Sequence, residues 1–494
     1  MGNRSAADDD PVASLLVYPG DYRDCSFIKM GKNLIDYIMN NSTYQLEFKI
    51  FFRNKAVWSG ILILLISGFA GLYFGKTFIE KQEAVIGKAN ALQQEKTQHN
   101  IDLHSEDLGL LLFYNKFSIA NMPSPWAAFA NGQRDINPYL MSVSILGLEG
   151  QMYDTDLNNP TTLLLGNMDL AFVIIFLFPL VIIAFSYNIV SAEQESGIWG
   201  LVKSQSGLPL SIILRKFSIR LITVFATLLI LMAAAVVYLQ LAVDRHFMMV
   251  LMVVSFYLLF WFALSFWVVS RNKSSSFNAV SLIACWVVLN IIGPAVLNVW
   301  LTKKYPIPEA METVIHQREG NHEKWDKEKH VTMDKFFEHY PQFKKYPFPS
   351  ELTFSWYWYY AMQQMGDDEA AESAGHMMKK LEERQGFSSI SALLFPGIQT
   401  QLGLNELAGS DLQSHLNFLK ALKAYHEKLR LSFYPVIFTN GTAKDIDWKK
   451  IKAEHHVNAV ESGKVVLNLF VVAIFSLLLA MAGFYNFRKK LHTF

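Results

Sequence analysis

Three stretches of the chain carry residue types at spacings that chemistry could use. The first is Gly75-Lys76-Thr77, the last triplet of a phosphate-binding loop. Such a loop needs a glycine five residues before Gly75, where Ala70 stands, and a strand ahead of it, which the sequence does not offer. Nucleotide chemistry is therefore expected from another chain. The second is a methionine-rich, acidic, helix-like stretch with Met362, Met365, His376, Met377 and Met378. Thioether and imidazole ligands suit Cu(I), but methionines three residues apart on a helix also pack cores. The third is Glu193-Gln-Glu195-Ser-Gly197, followed by Ile198 and Trp199 and then by Arg215 and Lys216. Paired carboxylates, a turn glycine, an aromatic and a basic pair make a docking element rather than a reaction centre. With no Ser/His/Asp set and no HExxH pattern, no catalytic residue is assigned and no enzyme is expected.

The elements that must position these residues follow from composition and hydropathy. The 494 residues are 52% hydrophobic and 14% aromatic, too apolar for a water-soluble protein, yet 18% charged, too polar to lie wholly in a bilayer. A formal charge of +1 gives no argument for nucleic acid, since basic residues gather only beside apolar runs. Cys25 and Cys285 lie in the leader and in an apolar run, so neither polar region holds a disulfide or a cysteine metal site.

In chain order, residues 1–43 form an irregular leader without a signal-peptide layout. Residues 44–56 alternate apolar positions with Lys49, Arg53 and Lys55; Phe52 lies on the apolar side, as in a helix along the inner membrane surface. Residues 57–75 are the first span, since roughly 17–25 apolar residues cross a bilayer. Residues 76–168 form a first polar region, beginning with a charged helix that prolongs the span. Residues 169–300 hold spans two to five, with a cytoplasmic loop at 191–217. A short outer turn, Asp244-Arg245-His246, joins spans three and four; Gly293-Pro294 is expected to kink span five, and Asn290 and Asn298 are expected to bond between helices. Residues 301–463 form a second polar region, 464–487 the sixth span and 488–494 a basic tail. Lys and Arg flank each span on one side, which puts both termini in the cytoplasm and the polar regions outside. The expected fold is an all-α polytopic membrane protein with six transmembrane helices and two large, mainly helical extracytoplasmic domains.

This layout, with Glu-x-Glu-x-Gly after the second span, resembles type-2 ABC transporter permeases. It is most similar to the NosY-like permeases labelled as involved in multicopper-enzyme maturation, and more distantly to the gliding-motility permeases of Bacteroidetes. The likeness is carried by Gly132-Gln133-Arg134-Asp135, Asn159-Pro160, Gly166 and Asp169, by Glu193 to Gly197, and by Ala408-Gly409-Ser410-Asp411 with His415 and Phe418. It covers nearly the whole chain from Tyr44 onward. Where Ile198 or Trp199 would align, family members commonly carry Thr.

The resemblance implies a permease subunit in a bacterial inner membrane that binds no cofactor itself, pairs with ABC ATPase subunits carrying ATP and Mg, and forms a dimer with itself or a related permease. The interfacial helix and the loop after span two would dock into those ATPases. Substrate export or translocation is the first functional expectation. The alternative is a mechanotransmission complex that works on a periplasmic partner without conducting anything; a wide cavity lined by the spans would favour export, and a dimer interface packed shut by aromatics such as Phe256, Phe260 and Phe266 would favour the alternative. Replacing Glu193 and Glu195 is expected to weaken docking and leave folding intact.

Overall fold

A computed structural model describes residues 41–153, 168–205, 209–306, 309–346, 348, 351–459 and 463–491. Among them are six helices long and apolar enough to cross a membrane: Lys55–His104, Leu170–Glu195, Pro209–Tyr238, Arg245–Val269, Ser275–Lys304 and Val465–Lys489. Side-chain caps start several of them. Asn54 Oδ1 accepts from the Ala56 amide at 3.0 Å. Asp169 accepts from Phe172 at 2.7 Å, and Asp244 accepts from His246 and Phe247 at 2.9 and 3.1 Å. Each satisfies amides that a helix start leaves unpaired.

The first of these helices is a rod of 50 residues. At 1.5 Å per residue it is about 75 Å long; a hydrocarbon core of about 30 Å takes some 20 residues, so about 45 Å stands in water. Small residues let it pack closely. A methyl group on Gly68 would lie 2.5 Å from Leu231, one on Gly71 2.8 Å from the Asp169 backbone, and one on Gly75 1.9 Å from the Ala128 carbonyl oxygen. Lys76 donates to the Tyr238 carbonyl at 3.1 Å. Gly75-Lys76-Thr77 is thus a packing contact, which accounts for its likeness to a nucleotide loop.

Two π turns interrupt the spans. Val173–Leu177 lies in the second and Val288–Ile292 in the fifth, the latter immediately before Gly293-Pro294. A π turn takes carbonyls out of the regular ladder, and these are used. Tyr257 donates to the Ile175 carbonyl at 2.7 Å and lies 3.2 Å from Asn290 Oδ1, while Trp286 Nε1 donates to Phe176 at 3.2 Å. Asn290 is therefore an interhelical partner, as expected; Asn298 is exposed, and its backbone carbonyl accepts from Thr302.

The polar regions depart from the sequence-based expectation in three ways. First, they are not two separate domains. Leu111, Phe117 and Ile145 of the first share one core with Phe336, Trp358, Tyr360, Phe418 and Phe433 of the second. Second, that shared domain is not wholly helical. It holds a three-stranded sheet of order β2-β1-β3, with β1 Phe117–Asn121, β2 Leu140–Val143 and β3 Glu454–His456. β1 runs antiparallel to β2 and parallel to β3. Third, helix Pro396–Ala408, placed by its sequence in the aqueous region, returns among the spans. A methyl on Gly397 would meet Asn290 at 2.3 Å and Tyr257 at 3.7 Å, and Tyr257 stands midway along the Arg245–Val269 helix. Gln399 donates to the Asn468 carbonyl of the sixth span at 2.7 Å. A re-entrant helix is tolerated at such depth because protein surrounds it.

Phe260 and Phe266 pack within the chain against Trp261, Phe217 and Phe487, and Phe256 is half-buried against the same core.

Candidate functional site

The face carrying the loop after the second span is built around Lys216. This residue is 7% exposed, and a buried ammonium is tolerated only when paired. Its Nζ pairs with Glu193 and lies 3.9 Å from Glu47. Glu47 belongs to helix Asn41–Arg53, so one cation joins that helix, the loop and the third span. Burial raises the Glu47 pKa above the ordinary carboxylate range, and Lys216 opposes the rise. Beside the pair, Tyr44 and Ser218 hydroxyls lie 3.3 Å apart. Arg220 donates to the Phe185 carbonyl at 2.6 Å and stacks 4.9 Å from the Phe51 ring. Tyr44, Glu47 and Phe51 repeat at i, i+3 and i+7, one face of a helix.

Glu195 has a different task. Its carboxylate accepts from the Ser275 amide at 2.7 Å and the Ser275 hydroxyl at 2.9 Å, at the start of the fifth span. Gln194 donates to Asn272 at 2.8 Å. The short helix Ser191–Glu195 ends at Gly197, whose φ of +76° suits glycine. Both carboxylates have partners within the chain, Glu193 half-buried on Lys216 and Glu195 exposed at the surface on Ser275, so the effect of replacing Glu193 is not confined to docking. Arg215 is buried beside Lys216. Trp199 is half-buried against the membrane core and is not a free anchor. Beside exposed Glu195 and Ser196, the loop presents two large apolar side chains outward: Ile198 is 48% and Leu201 59% exposed. On helix Asn41–Arg53, Lys49 and Arg53 are exposed and Phe52 is half-buried, its ring tilted against Phe48 with centroids 4.5 Å apart.

The second constellation lies in the aqueous domain, where sequence motifs some 280 residues apart meet. The Gln133 amide donates to the Ser410 carbonyl at 2.7 Å, and the Ser410 hydroxyl to the Ala130 carbonyl at 2.8 Å. Gly132 has φ +55°, and a methyl group there would lie 2.4 Å from the Ser410 hydroxyl, so both its dihedral and its contact require glycine. Asp411 caps helix Leu412–Phe438 by accepting from Ser414 at 3.2 Å. Gln133, Gly409, Asp411 and His415 line one small pocket with Arg134. Asp135 is next to it, half-buried, its pKa raised by burial. His415 is pushed down to about 4, by burial first and then by Arg134. Asn159 and Pro160 lie outside the described residues.

The two polar regions are joined by a buried ion pair that the sequence does not advertise. Arg430 pairs with Asp367 at 2.8 Å and donates to the Ile145 and Leu146 carbonyls at 3.1 and 2.7 Å. Asp367 also accepts from the Leu148 and Glu149 amides at 2.8 and 3.0 Å. The methionine set does not assemble into one ligand sphere. Met362 and Met365 are in the core and His376 is exposed; the 14 residues from Met362 to His376 span about 21 Å of helix at 1.5 Å each.

Among known proteins, residues 310–456 match a family described as a domain of unknown function (DUF3526). No curated protein and no solved structure matches the chain.

Proposed function

We propose that the chain is the membrane-spanning permease subunit of an ABC-type machine, coupling ATP hydrolysis in separate ATPase chains to work across the membrane. The observation that carries the reading is the Lys216 cluster. Glu47, Glu193 and Lys216 bind an interfacial helix, the loop after span two and span three into one unit, and that unit holds exposed Ile198 in a turn and exposed Leu201 on the short helix Trp199–Gln205 that follows. A partner that pushes on such a unit moves the spans with it, because a conformational change needs contacts that differ between states and a stiff element to carry them. In this reading the cluster faces the cytoplasm of a bacterial cell, both termini lie on that side, and a second copy or a related permease completes the assembly.

Mechanical transmission to an extracytoplasmic partner is the form of this function that two further observations favour. The rod runs without a break from the Lys216 face into the aqueous domain, and helix Pro396–Ala408 occupies the space between spans four, five and six. Export through the spans remains the competing form. The test of the shared reading is ATP turnover. The purified chain alone should hydrolyse none, and turnover should arise when its ATPase is added; hydrolysis by the chain alone would overturn the reading.

A further inference from the structure

The aqueous domain carries a cleft that the reading above does not use. Its volume is about 630 Å³, and it lies between the rod (Phe78, Gln82, Val85) and strand β2. That size is within the range of about 300–1,000 Å³ typical of ligand sites. Two independent features face it.

The first is a sheet edge. β2 is the outer strand of the sheet. The Asn121 amide donates to the Tyr139 carbonyl at 2.8 Å, and with the pairs Ile119 with Met141 and Phe117 with Val143 this sets the phase of the ladder. In an antiparallel pair the intervening residues turn their backbone groups the other way. Pro138, Leu140, Ser142 and Ser144 therefore address the open edge. Pro138 has no N–H to give. At Ser144 the Gln151 side-chain amide already stands where an incoming peptide group would, accepting from the Ser144 amide at 2.9 Å and donating to its carbonyl at 3.4 Å. Among the described residues Leu140 and Ser142 remain, a pairing length of two residues bounded at both ends.

The second is a buried guanidinium without a counter-charge. Arg134 lines the cleft and is 5% exposed. Its Nε donates to Gln82 at 3.1 Å and its Nη2 to the Asn121 carbonyl at 2.7 Å, and no carboxylate among the described residues comes within ion-pair distance. Burial lowers it to about 10. Exposed Lys116 adds a second positive charge to the lining, against one carboxylate, Asp135. His415, which lines the neighbouring small pocket with Arg134, has no hydrogen-bond partner at Nδ1 among the described residues. A buried, unpaired charge is costly unless something neutralises it.

We infer that this cleft receives the C-terminal end of an extended polypeptide partner, which pairs its backbone with Leu140 and Ser142 and sets its terminal carboxylate on Arg134. Strand addition supplies affinity through main-chain bonds, and a guanidinium takes a carboxylate through two parallel donors. The short pairing length favours a chain end over a segment that runs through.

The test uses the full-length protein in detergent, titrated with three probes: the strand-forming tripeptide acetyl-Val-Thr-Val as the free acid, the same peptide as its C-terminal amide, and inorganic phosphate. The acid should bind saturably, at least tenfold tighter than the amide. Arg134→Gln should bring the acid to the affinity of the amide, Arg134→Lys should restore part of the difference, and Ser142→Pro should weaken acid and amide alike. Thermal unfolding of each variant establishes that it is folded before binding is read. Equal binding of acid and amide, undiminished acid binding by folded Arg134→Gln, or phosphate binding as tight as the acid with no effect of Ser142→Pro would each overturn the inference; the last would mark a small-oxyanion site instead.

Discussion

Removing the Glu193 carboxylate should loosen the membrane-facing unit itself, before any partner is considered. Lys216 pairs with Glu193 directly and has Glu47 only at 3.9 Å. Truncating one partner of a buried ion pair costs about 3–5 kcal/mol, because the remaining charge is stranded. Glu47 compensates part of this, so Glu193→Ala belongs at the lower end, about 3 kcal/mol. If that energy appears as local opening, amides of helix Asn41–Arg53 and of Ser191–Glu195 should exchange about a hundredfold faster, at about 1.4 kcal/mol per decade. Hydrogen exchange read by mass spectrometry on the purified protein measures this directly. Glu193→Ala with Lys216→Met removes both charges of the pair and should bring exchange part of the way back towards the native protein, since a buried pair can give way to apolar groups at little cost while Glu47 keeps only Arg220 and Arg215 nearby. Unchanged exchange in the single variant, or a double variant as open as the single, would refute the reasoning. A consequence follows for function: loss of ATPase binding by Glu193→Ala would not locate a docking contact, because the same change undoes the unit that presents it.

Asp367→Ala should cost at least as much in the aqueous domain, about 3–5 kcal/mol, since it strands Arg430 and also the Leu148 and Glu149 amides; chemical unfolding followed by tryptophan fluorescence checks it, and a loss under about 1 kcal/mol contradicts it. His415 is held down to about 4 in the folded chain against about 6.5 unfolded, so the stability it contributes is complete above about pH 6.5 and is lost as pH falls towards 4. His415→Gln should flatten that acid slope in thermal unfolding between pH 7 and 4, with a residue left from His426, which burial and Arg430 shift in the same direction; an unaltered slope would contradict the assignment.

The spans were legible because a bilayer demands a local signal, some 20 apolar residues in a row, and each of the six helices carries one. The rod's extension into water was legible from its charged helical pattern. What escaped was non-local. β1 is five residues, all buried, without the alternation that marks a half-exposed strand, and it pairs with β3, three residues more than 300 positions away. The single aqueous domain rests on Arg430 and Asp367 reaching a loop near residue 145, and no periodicity announces such a pair. Helix Pro396–Ala408 reads as aqueous because Gln399, Thr400 and Asn405 interrupt its apolar face. At the membrane face the sequence singled out Glu193 and Lys216 as parts of one docking element, and the structure pairs them; Glu47 was missed although its spacing from Tyr44 and Phe51 places all three on one helix face. Arg134 stood within a quoted motif, but only its burial without a counter-charge marks it out.

The central claim is that exposed Ile198 and Leu201 are where an ATPase takes hold of this chain. It is tested most directly by purifying the tagged chain from its native membranes as Ile198→Asp with Leu201→Asp, beside the unaltered chain. Both side chains are exposed, Ile198 in the turn before helix Trp199–Gln205 and Leu201 on it, so the variant should insert and remain monodisperse. The account predicts that an ABC ATPase accompanies the native chain with ATP turnover in the purified complex, and that the variant loses the ATPase by more than tenfold and its turnover with it. A well-inserted variant that retains the ATPase and hydrolyses ATP at the native rate would contradict the account.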